Sequence, residues 1–293
     1  MCVRAIGIKG GIRYPQKGDV YCRRRQLHEL GDSHVRHVRV KSGLNPEHLQ
    51  DRLQYHPEIL ELHLNEQDVL DPAPLVQVIR SLKASIPKVY LHHPPKFRGQ
   101  FLDIISSDPS IRTFYDESTR VLIEIARAED VRVVIHAHYM GTDSKNFHDA
   151  HKVKELSHRI AHFEERGSDV LLWENTIEGI FSTQNPDWIT SIVEPLDLRL
   201  CMDISHAFIA LHGDNEGLIR VLERVQPYAD YFHVVDSMGT VHDGLALGEG
   251  KIDWRRVKDF LMGKDFIYEI DLRSSGHKDC TPMLESAEYL LSL

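Results

Sequence analysis

No apolar run in the chain approaches the ~18 residues that a membrane helix needs, so a helical span of that kind is excluded. Cysteine is scarce. The four residues Cys2, Cys22, Cys201 and Cys280 are scattered and form no Cys-x-x-Cys pair. Neither a zinc finger nor a disulfide scaffold is indicated. Cys201 lies inside an apolar run and is expected to be a buried thiol. The opening Met-Cys-Val-Arg-Ala-Ile-Gly carries no signal-peptide apolar region, so a reducing cytoplasm is the expected location. There is no low-complexity tract and no linker. A glycine-rich phosphate turn is also missing: Gly7-Ile8-Lys9-Gly10-Gly11 matches G-x-G-x-x-G poorly, which places an open doubly wound sheet second as a fold. Positive charge is in deficit, with a net charge of -9 and a pI near 6.1. That argues against a broad nucleic-acid or membrane surface, though not against a small basic groove.

Histidine is plentiful. Its 19 residues are more than half the 35 Lys plus Arg. With 42% apolar residues in 293, a large core can be filled. Barrels of roughly 250 residues fold as one unit, so a single domain over 1–293 is expected. Six apolar runs stop on a residue that can bind a metal or move a proton: His92, His136, Glu174, Asp203, His233 and Glu269. They lie 44, 38, 29, 30 and 36 residues apart. One strand–helix–strand unit takes about 30 or more residues. The spacing therefore predicts repeated units that each deliver one polar group at a strand end.

The pattern predicts eight strands alternating with helices, hence a (β/α)8 TIM barrel. Strand one is expected at Val3 to Ile8, ending in Gly10-Gly11. Residues 12–45 are the least legible. They hold Arg23-Arg24-Arg25 and the alternating run Val35 to Val40, which reads as a half-exposed strand within an insertion. Asn45 with Pro46 predicts a helix start running to Tyr55. The remaining strands are expected at Ile59–Leu62, Lys88–His92, Val131–His136, Val170–Glu174, Leu198–Asp203, Tyr231–His233 and Phe266–Glu269. Helices are expected at Pro74–Ala84, Ser110–Ala128, Asp149–Arg166, Pro186–Val193, Gly217–Val225, Trp254–Met262 and Pro282–Leu291.

A barrel brings strand ends together on one face. Glu174, Asp203, His233 and Glu269 come from four consecutive strands, and three carboxylates with one imidazole suit Mn2+, Mg2+, Co2+ or Zn2+. Each acid alone could be an ordinary strand-end residue; four at the same place in successive units is hard to explain that way. His92 and His136 would complete a second position bridged by Glu174. His93 and His138 compete with them, but side chains alternate along a strand, so only one of each pair faces the centre. His206 follows Asp203 by three residues and shares its face if a helix starts there, as a substrate contact or ligand. Asp236 is expected to orient an imidazole or a loop. His242 and Asp243 are within reach of the site, and Asp253 reads as an N-cap. The basic cluster Arg23 to Arg25 with Arg36, Arg39 and Lys41 reads mainly as a solvated face, as does the stripe His148, His151, His158 and His162.

These residues in this order resemble the xylose isomerase-like barrel superfamily. It takes in sugar isomerases and epimerases of the tagatose/psicose type and the endonuclease IV nucleases. The matching segments are His92-His93-Pro94, Ile135-His136, Glu174-Asn175-Thr176, Asp203-Ile204-Ser205-His206, His233-Val234-Val235-Asp236, Leu247 to Asp253, and Glu269. The epimerase branch implies one divalent metal, Mn2+ or Zn2+ with Mg2+ or Co2+ as alternatives, on Glu174, Asp203, His233 and Glu269. The two glutamates would be the catalytic acid/base pair on a sugar or sugar phosphate. His92 and His206 would contact the substrate. The nuclease branch implies two or three zinc ions that also use His92, His136 and His206, plus an Asp-x-His pair. Here that segment reads His242-Asp243-Gly244, with Gly244 at the second position of the pair. The departure favours the isomerase/epimerase, with a phosphodiester hydrolase as the alternative. Substrate identity and oligomeric state are left open.

Overall fold

A computed structural model describes residues 38–139 and 142–293. Its main element is a closed barrel of parallel strands: β1 (Arg39–Ser42), β2 (Ile59–His63), β3 (Lys88–His92), β6 (Arg132–His136), β7 (Leu171–Glu174), β8 (Leu200–Asp203), β9 (Ala229–Val234) and β10 (Asp265–Tyr268). A small antiparallel hairpin, β4 (Lys96–Phe97) and β5 (Gln100–Phe101), follows β3. Consecutive barrel strands are neighbours, and β1 pairs with both β10 and β2 to close the ring. Helices connect the strands, so the fold is the (β/α)8 barrel that the alternation predicts.

The expected first strand, Val3 to Ile8, lies outside the described residues. The first barrel position is held by Arg39–Ser42 instead, at the end of the run read as a half-exposed insertion. The misreading has a physical cause. Val38 and Val40 are buried against the outer layer, while Lys41 turns toward the barrel axis to meet Glu61 and Glu269. Polar residues that face a barrel mouth produce the same alternation as polar residues that face water.

The helix starts follow local chemistry. Asn45 accepts from the Glu47 N–H at the start of Pro46–Leu53, and Asp149 caps Ala150–Gly167. Both use a short polar side chain to satisfy an orphan amide of the first turn. The helix expected at Pro186–Val193 is instead a wide π-turn, Ile189–Val193, running into the single turn Glu194–Leu196. Pro195 has no N–H to continue the ordinary ladder, which fits the widened turn.

Two inward layers fill the barrel. The lower layer is Ile59, Tyr90, Val134, Leu172, Cys201, Tyr231 and Ile267, all buried. Two residues further along each of those strands come Glu61, His92, His136, Glu174, Asp203, His233 and Glu269, and β1 adds Lys41. A period of two keeps both layers on one face. Outward residues such as Leu60, Leu91, Val133, Trp173, Met202 and Phe232 join the core beneath the helices.

Below the inner plug, Asp265 accepts hydrogen bonds from Lys88 Nζ at 2.7 Å and Tyr90 Oη at 2.6 Å. Partial burial opposes its charge, but those bonds outweigh it and hold the carboxyl below its usual range. This group stabilises the fold above the ordinary carboxylate pKa, and the contribution is lost as pH falls through the lowered value. Asp265→Asn should therefore cost about 1–2 kcal/mol near pH 7. Denaturant titrations of variant and wild type should converge at strongly acid pH; a constant gap would contradict this assignment.

Candidate metal centre

Each strand presents one ionisable side chain to the barrel mouth. His233 on β9 stands at the middle of the cluster. Its Nδ1 lies 3.2 Å from Glu174 Oε1, 2.7 Å from Glu269 Oε2 and 3.9 Å from Asp203 Oδ2. Its Nε2 is bonded to Glu61 Oε2 at 2.8 Å. Donor atoms of Glu174, Asp203, His233 and Glu269 all lie within 4.8 Å of one another. Ligands about 2.1 Å from a shared ion stand roughly 3 Å apart, so these separations suit one cation.

The local sequence explains the aim of each group. Asp203 ends β8 and caps the helix Ile204–Ala210: Oδ1 accepts from the His206 N–H at 2.7 Å and from Ser205 Oγ at 3.0 Å. Its other oxygen, Oδ2, is buried and accepts no hydrogen bond. Glu269 Oε2 is also buried without one, because its close approach to His233 Nδ1 lacks hydrogen-bonding geometry. Two orphaned carboxylate oxygens beside an imidazole are a donor set that fits a divalent metal.

A second group shares Glu174. His92 Nε2 lies 3.1 Å from Glu174 Oε2, and His136 Nε2 lies 3.3 Å from Glu174 Oε1. His92 Nδ1–H donates to the His93 carbonyl at 2.9 Å. A carbonyl only accepts, so the Nε2 lone pair of His92 is left for the site. His206 Nδ1–H likewise donates to the Asn175 carbonyl at 2.9 Å. His92, His136 and Glu174 can hold an ion as a group.

Electrostatics reinforce this arrangement. Burial opposes a charge on Glu174, but His136 and His233 hold its carboxyl well below the usual range. Burial likewise opposes the charge of Glu269, and His233 and Lys41 outweigh it. Burial pushes His136 down to about 4. His233 goes the other way: burial disfavours its charge, yet the surrounding acids Glu269, Glu61 and Glu174 push it well above its ordinary value.

The seven residues expected at the site, His92, His136, Glu174, Asp203, His206, His233 and Glu269, are brought together. His93 faces away and bonds Ser118 Oγ at 2.8 Å. His138 accepts from the Phe181 N–H and fixes a loop. Asp236 orients a loop, not an imidazole: it accepts from the Ser237, Gly248 and Ile252 amides. His242 reaches the edge, 5.0 Å from the His206 ring, while Asp243 accepts from the Met238 N–H. Asp253 sits at the N-cap position without a side-chain cap bond. Gly244 has φ +61°, and a Cβ there would stand 2.8 Å from Asp271 Cβ. A side chain at that position would meet Asp271. The stripe His148, His151, His158 and His162 is exposed, as expected. Arg23, Arg24, Arg25 and Arg36 lie outside the described residues.

Two site residues were missed. Lys41 is not on a solvated face; its Nζ contacts Glu269 and stands 3.1 Å from Glu61 Oε1. Glu61 is fully buried. The signal was present in Ile59-Leu60-Glu61-Leu62, where an acid interrupts an apolar run, because an unpaired acid is almost never buried. Beside Lys41 and Glu269 opens a cleft of about 620 Å³, also lined by His63, Asn65, His242 and Arg273. Its size is that of small-molecule clefts.

The match to known proteins follows this geometry. Residues 59–292 match the xylose isomerase-like TIM barrel. The chain belongs to that family. Family members are mostly enzymes, among them epimerases, isomerases and endonucleases. A D-tagatose 3-epimerase-like protein has the same fold, with a TM-score of 0.68 at 17% identity over 87% of this chain and 96% of that one. An AP endonuclease, family 2, of Brucella melitensis gives a TM-score of 0.59 at 13% identity over 87% and 99%. An uncharacterized protein of Methanocaldococcus jannaschii is 22% identical over 202 residues, 65% of this chain and 74% of its own length. Among the described residues no helix is long and apolar enough to cross a membrane.

Asp203→Ala should abolish binding of a divalent ion at this centre while circular dichroism stays that of a folded barrel. Because the surrounding acids favour the charged form of His233, metal uptake should compete with its protonation. Apparent affinity should then rise with pH until the raised His233 value is passed. Elemental analysis showing full occupancy in the variant, or titrations in which affinity is flat with pH, would contradict the assignment.

Proposed function

We propose that the protein is a divalent-metal-dependent isomerase or epimerase of a sugar or sugar phosphate. The observation that carries this is the pair Glu174 and Glu269, which converge with Asp203 on His233 beside a cleft of small-molecule size. Glu174, Asp203, His233 and Glu269 would hold the ion. Two of these acids would also exchange protons with the substrate. Their exposures divide the roles: the Glu174 side chain is 1% exposed and the Glu269 side chain 22%. Glu269 is therefore the residue that reaches into the cleft and takes the first proton from carbon, and Glu174 is its partner. His206 and His92, each within 3.5 Å of Glu174, would bind substrate oxygens. When bound, the cation polarises the adjacent carbonyl and offsets the charge of the developing enediolate. The donor set of oxygens with one imidazole suits Mn2+ or Zn2+, with Mg2+ or Co2+ as alternatives.

A second reading is a metal-dependent phosphodiester hydrolase. It draws on one observation, the additional triad His92, His136 and Glu174. Against it stands Gly244, where packing on Asp271 leaves no space for a further ligand.

In D2O, one member of a panel of ketoses, aldoses and their phosphates should take up deuterium in the presence of metal. Glu269→Gln should lower that uptake by about 10²–10⁴-fold. A duplex carrying an abasic site should stay intact. Cleavage of the duplex with no deuterium in any sugar would reverse the choice. Metal stoichiometry gives a separate check: His92→Ala/His136→Ala should bind fewer ions than wild type if the second position is real, and equal stoichiometry would remove it.

A further inference from the structure

Within the charged layer, Glu61 lies between His233 and Lys41. It is fully buried on β2, across the barrel from β9, and its Oε2 lies 2.8 Å from His233 Nε2. Its other oxygen, Oε1, lies 3.1 Å from Lys41 Nζ. We propose that Glu61 is a positioning residue that fixes the His233 ring and its tautomer, with Lys41 holding Glu61 in place. The inference rests on the metal reading above.

The argument is geometric. Carboxylates face both ring nitrogens, Glu61 at Nε2 and Glu174 and Glu269 at Nδ1, so a metal on Nδ1 would leave the ring proton on Nε2, where Glu61 accepts it. The Nδ1 lone pair is then directed at the point where Glu174, Asp203 and Glu269 converge. Without Glu61 the ring is free to flip or to carry its proton on Nδ1, and either change removes a ligand. Outer carboxylates of this kind typically alter metal affinity by about 10- to 100-fold. Lys41 has a second effect. By contacting both Glu61 and Glu269 it links the ring-orienting acid to the acid that faces the cleft. A buried carboxylate without that cation would be strongly disfavoured.

The test uses the full chain and three variants: Glu61→Gln, Lys41→Met, and the double variant that removes the buried pair as a unit. Mn2+ and Co2+ titrations give dissociation constants, and the visible spectrum of bound Co2+ reports ligand geometry. Glu61→Gln should weaken binding by about 10- to 100-fold and shift the Co2+ bands. Lys41→Met, which removes the cation beside Glu61 but keeps the Glu61–His233 bond, should weaken binding less than Glu61→Gln does. If Glu61→Gln fails to fold, the double variant, which leaves neither Glu61 nor Lys41 without the other, should show the same weakening and the same spectral shift. A merely structural role would lower the thermal midpoint and leave the dissociation constants and the bands unchanged, which overturns the proposal. So would an equal loss in Lys41→Met. A wild-type protein with no saturable ion would sink the metal reading and this inference together. A wild type that binds, with Glu61→Gln binding equally, would sink the positioning role alone.

Discussion

Four carboxylates packed into one layer of a barrel are the constraint on which the rest of the site depends. Glu61, Glu174, Asp203 and Glu269 are all drawn from a layer that has an apolar plug beneath it. Removing such charges from water costs several kcal/mol per ion unless partners repay it. Lys41 supplies one positive charge, and the acids around His233 favour its charged form. Four imidazoles gather around Glu174. The raised His233 follows from that accumulation, and a divalent cation is the simplest object that relieves it.

Much of this was legible in the sequence. A parallel barrel strand is buried on both faces, so a polar residue at its end stands out against the apolar run before it. His92, His136, Glu174, Asp203, His233 and Glu269 were visible for that reason, and their spacing gave the repeating unit. Lys41 was hidden because its strand begins with polar residues on the inward side, and the alternation then looks like exposure. Glu61 was hidden for the opposite reason. It lies inside its strand, with Leu62 and His63 after it, so a search for strand ends passes over it. The π-turn at Ile189–Val193 was illegible because Pro195 acts on the turn before it.

The loops after β9 and β10 set what the layer can become. Asp236 gathers the amides of Ser237, Gly248 and Ile252, which fixes the turn around Gly250. A Cβ on Gly250 would fall 2.2 Å from Asp236 Oδ1. Close packing of Gly244 on Asp271 keeps that position from carrying another donor. The loops therefore narrow the chemistry: the strands provide ligands generously, and the connections decide how many are used.

The plug of Ile59, Tyr90, Val134, Leu172, Cys201, Tyr231 and Ile267 makes the site one-sided. Tyr90 and Tyr231 stack with centroids 4.2 Å apart, and burial keeps the Cys201 thiol neutral. Traffic of every kind then shares a single doorway. On the proposed reading, a molecule settled over the layer would lie between the cation and solvent, so the cation would have to arrive before the substrate.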